Sequence, residues 1–560
     1  MEERRLLVAV ALSLLVLTAY SLLFTPPPPS VAPPPALPAT VAPGALAPAS
    51  PAPVPPVALA EEEAAAALPT PAVADAKERR VEVVAPAYTV AFTNRGARLV
   101  SWTLARYRDA DGRPEEMIPA HGAQLVRPLD VETGDATLDA RLREALFLPS
   151  AETVPVSGEG PETLRFTYAD GEVSAEKTLV FQATGLVDVS VSVARRGQPV
   201  PRRLLWGPGV ANPSAEERGV QGYQPPQGVL DGAAGVERVA AGKIPATGRP
   251  VAGARWLGVE SHYFAALFVA PPGAAAELRA VTLPAVGDEK PAAAPVAAID
   301  ATGPEPVRLF VGAKDYQAMA RLGHGLERVV PVGDWIGPIV VPLMGVLRWV
   351  QSHVGNWGLS IVLLTVLINL LMAPFRHYSI VNGLKMAKLS PEMRAIQERY
   401  RKVPLMDPKR QQMQEEVAAL YAKHGMSMGS QMMVGCLPLL LTMPFLFAFY
   451  RVLTVSIELR GAPFLWIPDL ARPDPLYLTP VLMGASMFAM QKMTPSTLDP
   501  AQQRIMMLMP LMLAGMFLWA PAGLNLYWLT SNLWSILQQG VSMRVLRPAD
   551  GRGSREKRAK

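Results

Sequence analysis

Trp357-Gly-Leu-Ser-Ile-Val-Leu-Leu-Thr-Val-Leu-Ile-Asn369-Leu-Leu-Met-Ala-Pro374 is apolar along nearly its whole length and carries one amide in the middle. As a helix, about 20 such residues cross the roughly 30 Å hydrocarbon core of a bilayer. An unpaired amide facing lipid at that depth costs on the order of a few kcal/mol. Asn369 therefore points to a helical bundle with a polar interior, and the chain reads as a membrane protein. Four more apolar stretches follow, at 434–453, 476–492, 505–520 and 521–542.

The rest of the chain is of another kind. Half of its 560 residues are hydrophobic and the mean hydropathy is +0.19, too apolar for a soluble protein and too polar for one that is all membrane. The net charge of +5 fits either nucleic acid or an anionic membrane surface. The basic clusters flank apolar segments, which favours the membrane, and no direct DNA binding is expected. Cys436 is the only cysteine, so no intrachain disulfide forms; in its apolar run it reads as a small buried side chain.

From the N-terminus, residues 1–24 read as a retained transmembrane anchor: Leu6 to Phe24 is uncharged, and Arg4 and Arg5 hold its start inside. Residues 25–80 are a Pro/Ala-rich tether outside the membrane. Period-two patterning then begins. Tyr88, Val90 and Phe92 alternate into an Asn94-Arg-Gly96 turn, Leu164, Phe166 and Tyr168 run into Asp170-Gly171, and Val187 to Val193 alternate strictly. Residues 81–325 are thus expected to form an antiparallel β-sandwich, placed outside the cytoplasm by the anchor before it. Residues 326–355 hold a candidate interfacial amphipathic helix, with Leu343, Val346, Leu347 and Val350 on one side and Arg348 and Gln351 on the other.

Residues 356–545 carry the five spans, with a helical hairpin at 376–430, and 546–560 form a basic tail. The hairpin region holds Arg376, Lys385, Lys388, Arg394, Arg399, Lys402, Lys409 and Arg410, and the tail is basic as well. The loop between the second and third spans has only Arg460 and Arg472, offset by acids. The positive-inside rule then gives both termini inside and six crossings in all. Leu389, Met393, Ile396 and Tyr400 recur at helical spacing, Ser390-Pro-Glu392 reads as a helix start, and Met413, Val417 and Leu420 supply a second stripe. Such a hairpin either fixes topology as a solvated basic element or docks a polypeptide, a ribosome or a targeting factor.

Polar residues recur inside the spans. Thr365, Asn369 and Arg376 fall near one side of a helix, and Asn525, Asn532 and Gln539 repeat every seven residues on another. Ordinary interhelical hydrogen bonds account for them, at about 0.6 kcal/mol each; the alternative is a water-accessible groove for a hydrophilic guest. The methionines from Met483 to Met516 either fill a core or offer a compliant surface to varied apolar guests. No HExxH pair and no P-loop is present, so neither enzyme chemistry nor an internal ATPase is expected, and no metal or cofactor.

The runs Val354-Gly-Asn-Trp-Gly358, Met433 to Pro444, Glu458-Leu-Arg-Gly-Ala-Pro-Phe464 with Trp466-Ile-Pro-Asp-Leu470, Pro480-Val-Leu-Met-Gly484, Gln491-Lys-Met-Thr-Pro495 and Gly523 to Asn532 belong together. They resemble the YidC family of membrane protein insertases. Phe92-Thr-Asn-Arg-Gly96, Trp256 to Phe264 and Leu309 to Tyr316 are similar to the periplasmic domain of its Gram-negative form. The resemblance implies a polytopic α-helical protein of the bacterial inner membrane, six transmembrane helices with five forming the insertase bundle, plus the periplasmic domain. It implies that nascent and newly made membrane proteins enter a hydrophilic groove, with the Sec translocon, ribosome, targeting factors and lipid as partners. The groove residues would be Thr365, Asn369, Thr442, Met443, Phe517, Trp519, Asn525, Tyr527 and Asn532. The family's usual groove arginine aligns with Asn369, and its frequent glutamine with Thr442, so the fixed positive charge is gone; Arg376, two turns on, stands nearest to replacing it. A solute transporter is the alternative, disfavoured because the spans show no paired repeats with matched broken helices.

Overall fold

The computed structural model describes residues 72–121, 125–182, 184–220, 222–245, 247–285, 291–400, 403–404, 407–424, 443–493 and 500–546. The expected anchor, nearly all of the tether, Thr442, Lys402, Cys436 and the tail beyond Leu546 lie outside these residues.

Residues 80–313 form a β domain of three sheets. The largest runs in the order 235–240, 227–232, 256–260, 264–269, 307–313, 187–195, 173–181, 162–169 and 148–149. The expected alternation is present: Val187, Val189, Val191 and Val193 are buried, whereas Ser190 and Ser192 are exposed. Asp170-Gly171 makes the expected hairpin, with Gly171 at φ +87° and the Asp170 carboxylate accepting from Val173 N. At the other predicted turn Gly96 has φ +69°, and a Cβ there would lie 2.7 Å from the Arg143 carbonyl.

A simple antiparallel sandwich is nonetheless too plain a description. The second sheet, 114–116, 98–108, 88–93, 80–84 and 153–155, ends in a parallel pair, and a third contains 249–251, 276–283, 292–300, 203–206 and 131–132. Parallel neighbours need a long return path; here the chain returns through 85–152, which includes the helix Ala136–Glu144. The sheets bury Trp102, Trp206, Phe92, Phe166 and Phe181 in one core, with Trp102 edge-on to Trp206 at 6.3 Å.

The helical region comprises α1 (Gly337–Val354), α2 (Trp357–Arg399), α3 (Lys409–Lys423), α4 (Met443–Val455), α5 (Leu478–Met493), α6 (Pro500–Met516) and α7 (Ala522–Leu546). Gly355 at φ +73° ends α1, and the Asn356 side chain accepts from Leu359 N to start α2. The buried face of α1 is Val340, Met344, Leu347 and Val350. Arg348 is not on a free polar face: it bridges Asp315 of the β domain and Glu458 of the α4–α5 loop.

The predicted helix start at Ser390 is not one. α2 runs unbroken for 43 residues with Pro374 and Pro391 inside it, and Ser390 is buried. A helix already propagating needs no new nucleus, and both proline rings sit on its exposed side. The expected hairpin does form, with Leu389, Met393, Ile396, Leu420 and Tyr421 packed between α2 and α3.

Candidate functional site: a polar seam inside an apolar bundle

Along α2 one face is buried, with Ile361, Leu364, Thr365, Asn369 and Met372. The other exposes Leu359, Leu363, Leu367, Leu370, Leu371 and Phe375. Leu508, Leu511 and Met512 on α6, and Leu533, Leu537 and Val541 on α7, are exposed in the same way. An apolar surface of this extent is stable against lipid, not water. The segment Trp357–Met386 is long and apolar enough to cross a membrane, while Met443–Val455 and Met506–Trp519 are shorter apolar helices.

The polar side chains turn inward. Asn369 is 4% exposed; its Nδ2 donates to the Thr365 carbonyl at 2.8 Å, and its Oδ1 accepts from Ser531 Oγ of α7 at 3.3 Å. Thr365 donates to the Ile361 carbonyl. One residue along α7, Asn532 donates to Ser486 Oγ of α5 at 3.1 Å, so the polar seam joins three helices at mid-depth. Deeper toward the hairpin, Arg376 donates to Ser535 Oγ, Gln538 donates to the Ala373 carbonyl at 2.7 Å, and His377 meets Ser542 at 3.1 Å. At the opposite end Asn525 donates to the Phe517 carbonyl, Phe517 meets the Trp528 ring, and Tyr527 stacks on Phe449 at 4.2 Å.

Thr365, Asn369, Asn525, Tyr527, Phe517 and Asn532 therefore lie inside the bundle, and Met443 is half-buried in the first turn of α4. Trp519 stands apart, 61% exposed. Lys385, Lys388, Arg394, Arg399 and Lys409 lie on exposed faces of α2 and α3, and Arg399 pairs with Glu416. Arg376 does not join them: its half-buried guanidinium belongs to the seam, with no carboxylate partner among the described residues. Arg410 has no described side chain. Sequence reading passed over Ser486, Ser531, Ser535 and Gln538. Ser531, Ser535, Gln538 and Ser542 recur at helical spacing on α7, a signal hidden among stronger asparagines. Several buried polar atoms here find no partner among the described residues: Asn525 Oδ1, Gln538 Oε1, Gln491 Oε1, Trp534 Nε1 and Asn382 Nδ2.

The bundle is fastened to the β domain by the loop after α4. Ile457 enters the β-domain core. Arg460, its side chain 9% exposed, contacts Glu115 at 2.8 Å and Glu217 at 2.5 Å and lies over the Phe264 ring. Burial pushes the Glu115 carboxyl up to about 7, with the Arg460 charge opposing.

Residues 80–346 match the family model described as the YidC periplasmic domain, and residues 349–549 match the 60Kd inner membrane protein model. The membrane protein insertase YidC of Geobacter metallireducens is 32% identical over 570 residues, spanning 98% of this chain and 100% of its own length. That of Syntrophus aciditrophicus is 31% identical over 96% of this chain and 98% of its own. A crystal structure of an active YidC insertase with its first transmembrane domain resolved aligns over 84% of this chain and 94% of its own, at TM-score 0.34 and 16% identity. Fold, apolar belt and family matches define an inner-membrane protein with a periplasmic β-rich domain and a helical membrane region. The chain belongs to the YidC family of membrane protein insertases.

Proposed function

We propose that this insertase works through the polar seam between α2, α5 and α7. A client's short polar tail enters from the hairpin side, is hydrated or hydrogen-bonded along Arg376, Gln538, Asn369 and Asn532, and crosses as the client's apolar helix settles against the leucine- and methionine-rich outer face. Thinning the dry barrier lowers the cost of moving the tail, and burial of the client's own apolar helix drives the step without nucleotide or covalent chemistry. The observation that carries this reading is the set of buried polar atoms with no partner among the described residues, since such atoms are normally satisfied by water or a guest.

The finer parts belong to the same reading. Both termini lie inside, with six crossings; Thr365, Thr442, Met443, Phe517, Asn525 and Tyr527 join the groove lining. Trp519 meets the client's apolar part. The exposed basic face of the hairpin receives ribosome or targeting factor, and the Sec translocon shares larger clients, which the chain helps to fold. Arg376 supplies the positive charge that Asn369 does not. The test is site-specific crosslinking from Asn369, Thr442 and Tyr527 to a stalled nascent chain, with Leu367 as the lipid-face control. The reading expects the client's polar tail at Asn369 and Thr442 and its apolar segment at Leu367; a tail that never reaches Asn369 sinks it.

A further inference from the structure

A charged cavity lies where the outer end of α4 meets the β domain. Gly222, His262, Lys314, Tyr450, Arg451 and Thr454 line it. Its charges do not balance. Glu260 is fully buried, and both its carboxylate oxygens are occupied, one by Arg238 at 2.8 Å and the other by Lys314 at 3.1 Å. Arg451 adds a third cation, near enough to Arg238 for the two charges to oppose each other, and its guanidinium has no hydrogen-bond or carboxylate partner among the described residues. The remaining acid facing His262, Glu217, is engaged by Arg460. Three cations thus stand against one carboxylate in a half-buried place, where unmatched charge is costly.

Lys314 uses one of its three protons on Glu260. His262 is neutral, its pKa pushed down to about 4 by burial and by Lys314, and its Nδ1 accepts from Gln224 N. Its proton is therefore on Nε2, available to an acceptor. The cavity offers donors and positive charge and calls for an anion.

Its position says which anion. Phe447, Tyr450, Arg451 and Thr454 share one face of α4; Phe447 is 47% exposed within the apolar belt, one turn deeper than Arg451. A ligand with its charge at Arg451 and a hydrocarbon tail along Phe447 is a lipid. We propose that this cavity binds the phosphate of an anionic phospholipid from the periplasmic-side leaflet, with Arg451 as its main contact and Lys314 and His262 as supporting donors.

The test uses delipidated full-length protein in detergent and its thermal unfolding midpoint, read with added phosphatidylglycerol, diacylglycerol or glycerol 3-phosphate. A ligand that binds only the folded state raises the midpoint. Phosphatidylglycerol is expected to raise it, the other two are not, and Arg451→Gln abolishes the rise. A rise that survives in Arg451→Gln, or one matched by diacylglycerol, overturns the proposal; a rise matched by glycerol 3-phosphate overturns the lipid as source. If Arg451→Gln does not fold, native mass spectrometry decides between wild type and Arg451→Lys, which keeps the charge and loses the two-pronged geometry. Wild type should retain phosphatidylglycerol to higher activation energy than Arg451→Lys, and equal retention of phosphatidylglycerol and diacylglycerol by wild type overturns the site.

Discussion

Asn369 gives its amide N–H to the carbonyl one turn back and offers its oxygen to Ser531, so a single side chain closes its own helix and touches the next. Asn369→Leu removes that interhelical bond and should lower stability by only about 0.6 kcal/mol. The effect on clients should be larger and selective. In protease-protection assays Asn369→Arg should favour clients with acidic tails, and Asn369→Leu should slow clients with charged tails; indifference to both would remove Asn369 from the list of guest contacts. Arg460 acts at the same scale, outside the membrane. Arg460→Gln strands Glu115 and Glu217, and breaking such a buried pair costs about 3–5 kcal/mol. The Glu115 pKa of about 7 stands above its ordinary 4.5, so the fold prefers the protonated acid. Its contribution is whole below the ordinary value and is lost as pH rises through about 7. The Arg460→Gln penalty, read by thermal unfolding, should therefore be largest on the alkaline side and shrink on the acid side. Sequence showed Asn369 because an amide stands out in an apolar run. It hid Arg460, whose partners lie more than 240 residues away.

Among the helices, close approach depends on small residues. A Cβ on Gly484 of α5 would come within 2.8 Å of the Ala514 Cβ on α6. Gly484→Ala should cost about 1–3 kcal/mol through overpacking, and adding Ala514→Gly should recover most of it; a double variant no better than the single one would place the strain elsewhere. In the hairpin, Leu420→Ala should loosen the α2–α3 contact by about 2 kcal/mol, seen as faster hydrogen exchange across 389–423 with the β domain unchanged. Both stripes of this hairpin were readable, because apolar spacing survives whatever the helix is joined to. The continuity of α2 was not. Ser390-Pro391-Glu392 carries every local mark of a beginning, and only the packed helix on both sides overrides it. Likewise Val187 to Val193 announced a strand, while the parallel neighbour of 80–84 depends on a distant return of the chain.

Over the described residues, an apolar belt surrounds an inward polar seam, and the β domain is fastened to the helices through Ile457, Arg460 and Arg348. Depletion of the protein should leave short-tailed inner-membrane proteins exposed to added protease or stranded in the cytosol, measured by fractionation of newly labelled clients; normal insertion alongside a lost solute flux would favour a transporter instead. Composition and charge asymmetry made the membrane class legible. The attachment between the two halves was not, because it rests on ion pairs that join segments read separately.

At about 1.5 Å per residue, the 43 residues of α2 make a rod of roughly 65 Å, about twice the oily thickness it traverses. Half of it must stand clear of the bilayer, bearing the hairpin at its tip, while its other end is pinned where Phe464 crowds against Gly358. The hairpin is thereby carried roughly 30 Å past the oily layer, on the side away from the Phe464 contact.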